Sequence, residues 1–212
     1  MAKTYRRILI FIVILGVLMG LLGKKFAGDQ YVNTEPRKNT ECTLTQRVFD
    51  DADVLTDEEE KNLEALIAEK EELIGGDLVL ITTNDASLDT MEKLRDYAQN
   101  YYKENKLGWD QAIGSGAIYV DDWETRYTWL ATRGIVKDRL SKDNTDYIVD
   151  ETNDIVNKDP YKAYTKLINL IAEETQKSPI FHININPLWV ALGCLVAAIA
   201  LVVFQLSDSV GK

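Results

Sequence analysis

The chain has 212 residues, 46% hydrophobic and 27% charged, with a formal net charge of −10. That acidic balance excludes nucleic acid and anionic lipid headgroups as partners, because both are held by an excess of Lys and Arg. With one histidine, two cysteines and no cluster of them, a tetrahedral zinc site is not expected, and any metal is expected to be held by oxygen.

Residues 1–7 include Lys3, Arg6 and Arg7, and are followed by an uncharged run, residues 8–23 (ILIFIVILGVLMGLLG). As a helix this run is about 24 Å long at 1.5 Å per residue, which suits a short transmembrane helix or a signal anchor. The basic residues before it favour a cytoplasmic amino terminus. A second uncharged run, residues 187–206, gives about 30 Å and is expected to cross a bilayer. Residues 207–212 are then expected as a cytoplasmic tail, with residues 24–186 on the outer side of the membrane. That outward part holds all but four of the 24 Lys and Arg and all but one of the 34 Asp and Glu, a net of −13. Cys42 and Cys194 fall at such different depths that no disulfide is expected between them.

Between the two runs, residues 24–46 are polar and without periodicity, and read as a linker. A domain is expected over residues 47–177. Thr56 with Glu59 forms a capping box, and Leu63, Leu66, Ile67, Leu73 and Ile74 continue at helical spacing until Gly75-Gly76. Leu78 to Thr83 is a short apolar run suited to a strand covered on both faces. A second helix is predicted from Asp89 to Asn105. Strands at Ala117–Val120 and Tyr127–Thr132 are expected to form an antiparallel hairpin, with Asp121-Asp122-Trp123-Glu124-Thr125 between them. A short turn at Val136–Leu140 precedes helices at Lys142–Asn157, capped by Ser141, and Pro160–Thr175, with proline in the first turn. Residues 178–186 form a short connector to the second apolar run. Strands interleaved with helices indicate one α/β domain.

Two acidic groups stand out. Asp50, Asp51 and Asp53 precede the first helix, and Asp121 and Asp122 follow an apolar strand. Ligands of α/β sheets collect at strand ends. If the two groups meet, their mutual repulsion would be relieved by a hard divalent cation, Ca²⁺ or Mg²⁺. The alternative is that the first group caps a helix and the second occupies a hairpin turn. Asp143, Asp146, Asp150 and Asp154 recur at spacings of three and four, the pattern of a solvated helix face.

The order of these motifs resembles the TPM-domain family. Val48-Phe49-Asp50-Asp51-Ala52-Asp53-Val54-Leu55-Thr56 before an acidic helix is similar to the family's opening. Asp77-Leu-Val-Leu-Ile-Thr-Thr resembles its first long strand, residues 97–108 its glycine-terminated helix, Gly116-Ala-Ile-Tyr-Val-Asp-Asp its central strand, and Asp159-Pro-Tyr-Lys-Ala-Tyr the turn into its last helix. The resemblance implies a single mixed sheet of about four strands sandwiched by helices, an acidic divalent-cation site and, in some relatives, phosphatase activity. Other relatives are accessory factors of membrane complexes. Two departures stand out: Asp51 replaces the usual tyrosine, and Thr132-Arg133-Gly134-Ile135-Val136 lacks the family's second glycine and its Leu-Glu.

The resulting expectation is a membrane-anchored domain outside the cytoplasm that binds Ca²⁺ or Mg²⁺ through Asp50, Asp51, Asp53, Asp121 and Asp122. In a phosphomonoesterase, Arg126 or Arg133 would clamp the phosphate. The competing expectation is a non-enzymatic accessory or scaffold that holds a membrane-protein partner.

Overall fold

The computed structural model describes residues 30–177. Both apolar runs and the connector at 178–186 lie outside them, and among the described residues no helix is long and apolar enough to cross a membrane. The described residues form four strands and five helices: β1 (Val48–Asp50), α1 (Asp57–Ile74), β2 (Asp77–Thr83), α2 (Met91–Glu104), β3 (Gly116–Asp122), β4 (Tyr127–Arg133), α3 (Gly134–Arg139), α4 (Lys142–Val156) and α5 (Pro160–Gln176).

Local chemistry accounts for most boundaries. The Thr56 side chain accepts from the Glu59 amide while Glu59 reaches back to the Thr56 amide, which satisfies two donors at the start of α1. At its end Gly75 takes φ 63° and donates to the Glu71 carbonyl at 2.9 Å, a left-handed cap that favours glycine. The Thr90, Ser141 and Asp159 side chains cap α2, α4 and α5 by accepting from the Lys93, Asn144 and Lys162 amides.

The strands stand in the order β1-β2-β3-β4, with β1, β2 and β3 parallel and β4 antiparallel to β3. This is the expected mixed sheet between helices. Alternation along β2 and β3 divides the core. Leu78, Leu80, Ala117 and Tyr119 pack with α1, α4 and α5, whereas Val79, Ile81, Ile118 and Val120 pack with α2. Both faces of β2 are thus covered, as its unbroken apolar run requires. The two crossovers step in one direction yet put α1 and α2 on opposite faces, so one has the left-handed sense that βαβ units almost always avoid.

Three sequence expectations are revised. Strand β3 runs through Asp122, so the two aspartates lie in the sheet and the turn is Trp123–Arg126. Residues 134–139 form a helix that starts at Gly134, two residues earlier than the expected turn.

The third concerns residues 30–46, which contain no helix and, as far as Gln46, no strand, yet are bound to the domain and do not behave as a free linker. The Tyr31 amide donates to Gln176 O at 2.9 Å and the Asn33 amide to Leu73 O at 2.9 Å. Asn39 Nδ2 donates to Lys106 O and Gly108 O, each at 2.7 Å. The decisive contact is Arg37, whose guanidinium grips the carboxylate of Asp77 through both nitrogens, Nη2 to Oδ2 at 2.9 Å. Asp77 is fully buried at the start of β2, and a charge so placed must be paired.

Candidate functional site

The parallel strands place their carboxyl ends along one edge of the sheet. There the register sets Asp50 beside Thr82, Thr82 beside Asp121, and Asp121 beside Thr128. Laterally paired residues point to the same face, and strands are spaced by about 4.8 Å, so the Cα atoms of Asp50 and Asp121 are about 10 Å apart. Both belong to the face covered by α1 and α5, since Val48 and Tyr119, two residues earlier on each strand, pack there.

Asp50 organises the loop that follows it. The Thr82 hydroxyl donates to Asp50 Oδ1, and the Leu55 amide donates to Oδ2 at 2.7 Å. The intervening turn holds Asp53 at φ 55°, a conformation in which Asp and Asn are the best tolerated residues after glycine. The Asp53 side chain is exposed and accepts no hydrogen bond from the described residues.

Asp121 is 4% exposed. Its Oδ2 accepts from the Tyr164 hydroxyl at 2.7 Å, and Trp123 Nε1 donates to that hydroxyl at 3.1 Å. Burial pushes the Asp121 carboxyl up to about 6, against the hydrogen bond from Tyr164 and the charge of Arg126. This buried acid therefore changes charge close to neutrality. Tyr164 is raised in turn, by burial first and by Asp121 beside it second.

The sheet separates the five aspartates that the sequence grouped together. Consecutive strand residues point to opposite faces, so Asp122 lies across the sheet from Asp121. There its Oδ1 accepts from the amides of Asp85 and Glu124, each at 3.2 Å, and its Oδ2 accepts from the Thr125 hydroxyl at 2.6 Å. It braces two turns. Asp51 is exposed and lies on the α2 side, where it adds to the burial that raises the Tyr97 and Tyr101 phenols.

Glu60 of α1 lies near enough to Asp50 and Asp53 to feel their charge. Its carboxyl is raised by partial burial and then by the charges of Asp50, Asp57, Glu64 and Asp53. The residue was legible only as the fourth in the acidic run after Thr56.

The two arginines part company. Arg126, in the turn at φ 65°, lies with its guanidinium 4.9 Å from the Trp123 ring and close enough to Asp121 to favour its ionised form. Arg133 pairs with Gly116 at the far end of β4, about 17 Å from Thr128 at 3.4 Å per residue, and cannot reach a phosphate at the acidic edge.

Among the described residues no three His, Cys, Asp or Glu side chains come together in a group able to hold a metal ion. A closed protein cage is therefore not what these residues build. One or two carboxylates completed by water and a ligand phosphate is the usual arrangement for Mg²⁺, and Ca²⁺ also accepts water as ligand.

The profile of the TPM domain matches residues 48–174. No curated protein matches the chain. Among solved structures, the N-terminal domain of the cg2496 protein from Corynebacterium glutamicum is similar at 13% identity and a TM-score of 0.47, over 71% of this chain and 90% of that one. The BA42 protein from Bizionia argentinensis is similar at 16% identity and a TM-score of 0.45, over 60% of this chain and 88% of that one.

Proposed function

Because this chain belongs to the TPM domain family, we propose that its acidic strand edge takes up a divalent cation, Ca²⁺ or Mg²⁺, and there hydrolyses a phosphomonoester outside the cytoplasm of a bacterium. The observation that carries this reading is the placement of Asp50 and Asp121 on one face of one sheet edge, with Glu60 close enough to be raised by the charge of Asp50. The two uncharged runs at 8–23 and 187–206 would anchor the domain in the membrane.

Asp50 and Asp53 would hold the cation with water, and its charge would offset the repulsion between a phosphate dianion and a net of −13. Arg126, exposed at the mouth of the edge, supplies a planar fork for phosphate oxygens. Asp121 keeps a proton below about pH 6 and releases it above, within the range a general acid or base needs near neutral pH. Tyr164 and Trp123 orient that carboxyl.

A second reading has its own support. Asp50 accepts from Thr82 and Leu55, and Asp121 from Tyr164, which also suits a brace for a domain that docks a membrane-protein partner without catalysis. Turnover of p-nitrophenyl phosphate by the purified full chain, with Ca²⁺, with Mg²⁺ and with EDTA, separates the two. Hydrolysis should require the cation and fall about 10²-fold or more in Asp121→Asn, the usual scale for a lost general acid or base. No hydrolysis, or hydrolysis indifferent to both changes, assigns the accessory role.

A further inference from the structure

A cavity of about 580 Å³ lies on the α2 face, along β4 from Trp129 to Arg133, between α2, the loop before β3, the unpaired edge of β4 and α3. Its size is that of a small-molecule site. In a domain where acids predominate, its lining is rich in donors. Arg133 and Lys137 both face it, with Gln99, Gln111 and Trp129. Among the described residues neither Arg133 nor Lys137 has a carboxylate oxygen within 4.0 Å.

The one acid in the lining is engaged elsewhere. Asp110 accepts from the Ser115 amide at 2.6 Å, and hydrogen bonds from its own loop hold it below the usual carboxylate range despite some burial. Arg133 is also pre-positioned. Its guanidinium sits 5.5 Å from the centre of the Tyr102 ring, and Tyr102 is fixed by its hydroxyl donating to Gly114 O at 3.1 Å. Stacking of this kind holds the plane of the guanidinium while leaving its N–H edges free for a planar, bidentate acceptor.

We propose that this cavity binds a small oxyanion, a carboxylate or a phosphate group, between Arg133 and Lys137. The site is independent of the acidic edge, uses no residue of it, and assigns Arg133 a ligand of its own in place of the phosphate clamp expected from the sequence.

Isothermal titration calorimetry of the purified full chain tests it, with inorganic phosphate in one arm and citrate in the other. The protein is first freed of divalent cations on a chelating resin and none is added, so that a cation-dependent phosphate site at the acidic edge does not contribute. Saturable binding of at least one anion is expected, and which arm responds identifies the oxyanion. Arg133→Gln and Lys137→Glu should each weaken it about tenfold or more, as the loss of a charge-assisted contact implies. Lys137 is exposed, so its variant keeps the test valid if Arg133→Gln disturbs the packing on Tyr102. Absence of binding in both arms up to tens of millimolar, or an affinity unchanged by Lys137→Glu, overturns the proposal.

Discussion

Arg37→Ala is expected to destabilise the domain by about 3–5 kcal/mol, the cost of removing one partner from a buried ion pair. The magnitude follows from the asymmetry of the pair. The Asp77 side chain has no exposure, whereas that of Arg37 is 25% exposed, so the deletion strands the carboxylate and not the guanidinium. What remains to compensate it is the hydrogen bond from the Gly108 amide, at 2.7 Å from Asp77 Oδ2, and the more distant charge of Arg47. For a domain of this size the loss corresponds to a fall in Tm of roughly 8–16 °C.

Thermal unfolding of the full chain and the variant measures this effect. Asp77→Asn in the Arg37→Ala background should recover part of the loss, because it removes the stranded charge. A change below about 1 kcal/mol would mean that residues 30–46 contribute little to the fold. The same reasoning applies to fragments. One that begins at residue 47, close to where the family match starts, lacks Arg37 and should unfold more readily than one that begins at residue 30.

Asp121→Asn should act in the opposite direction and depend on pH. The folded carboxyl sits at about 6 against an ordinary value of 3.8, so the native state binds this proton more tightly than the unfolded chain does. The contribution of Asp121 is therefore most favourable below pH 3.8, declines as pH rises to about 6, and stays at its least favourable above that. The full decline is about 3 kcal/mol, from 1.36 kcal/mol for each pKa unit.

An asparagine carries no charge to desolvate and still offers an oxygen to Tyr164. At pH 8 the variant should be more stable than the parent by up to about 3 kcal/mol, with the difference vanishing toward pH 4. Taking the difference cancels the other carboxylates. These include Glu71, which burial raises to about 7 despite its ion pair with Arg47 and which loses its own contribution between about pH 4.5 and 7. Urea unfolding of both proteins at pH 4, 6 and 8 gives the comparison. A variant less stable than its parent at pH 8 would show that the Tyr164 bond outweighs burial. A variant that is more stable and yet loses turnover would mark Asp121 as a residue retained for function at a cost in stability.

The parts of the fold that were legible in the sequence are those encoded locally. The capping box at Thr56 and Glu59, the apolar run of β2 and the proline at the start of α5 each state their structure within a few residues, and the family resemblance supplied their order. Strand β1 was not read, because three residues are too few to display a period. Yet it is β1, through its register with β2, that places Asp50 on the face of Asp121.

The acidic site was half legible for a related reason. Five aspartates near strand ends suggest a cluster, but whether they share a face depends on where each strand stops. Two more residues of β3, held by pairing to Thr128 and Tyr127, turned Asp122 away from Asp121. The Arg37–Asp77 pair spans 40 residues, and nothing in a polar stretch without periodicity distinguishes an arginine that will be partly buried from one that stays in solvent. Arg133 was misplaced because its distance from Asp121 follows from the antiparallel register, which composition does not specify.

Calorimetric titration of the full chain with Ca²⁺ and with Mg²⁺ addresses the acidic edge most directly. Asp53→Asn is the informative variant, since asparagine tolerates the same left-handed backbone and removes only the charge. Saturable heat at millimolar cation or below, weakened about tenfold by Asp53→Asn, is the expected outcome. No heat at millimolar concentrations of either ion would contradict cation binding at Asp50 and Asp53, and with it the proposed phosphomonoester chemistry.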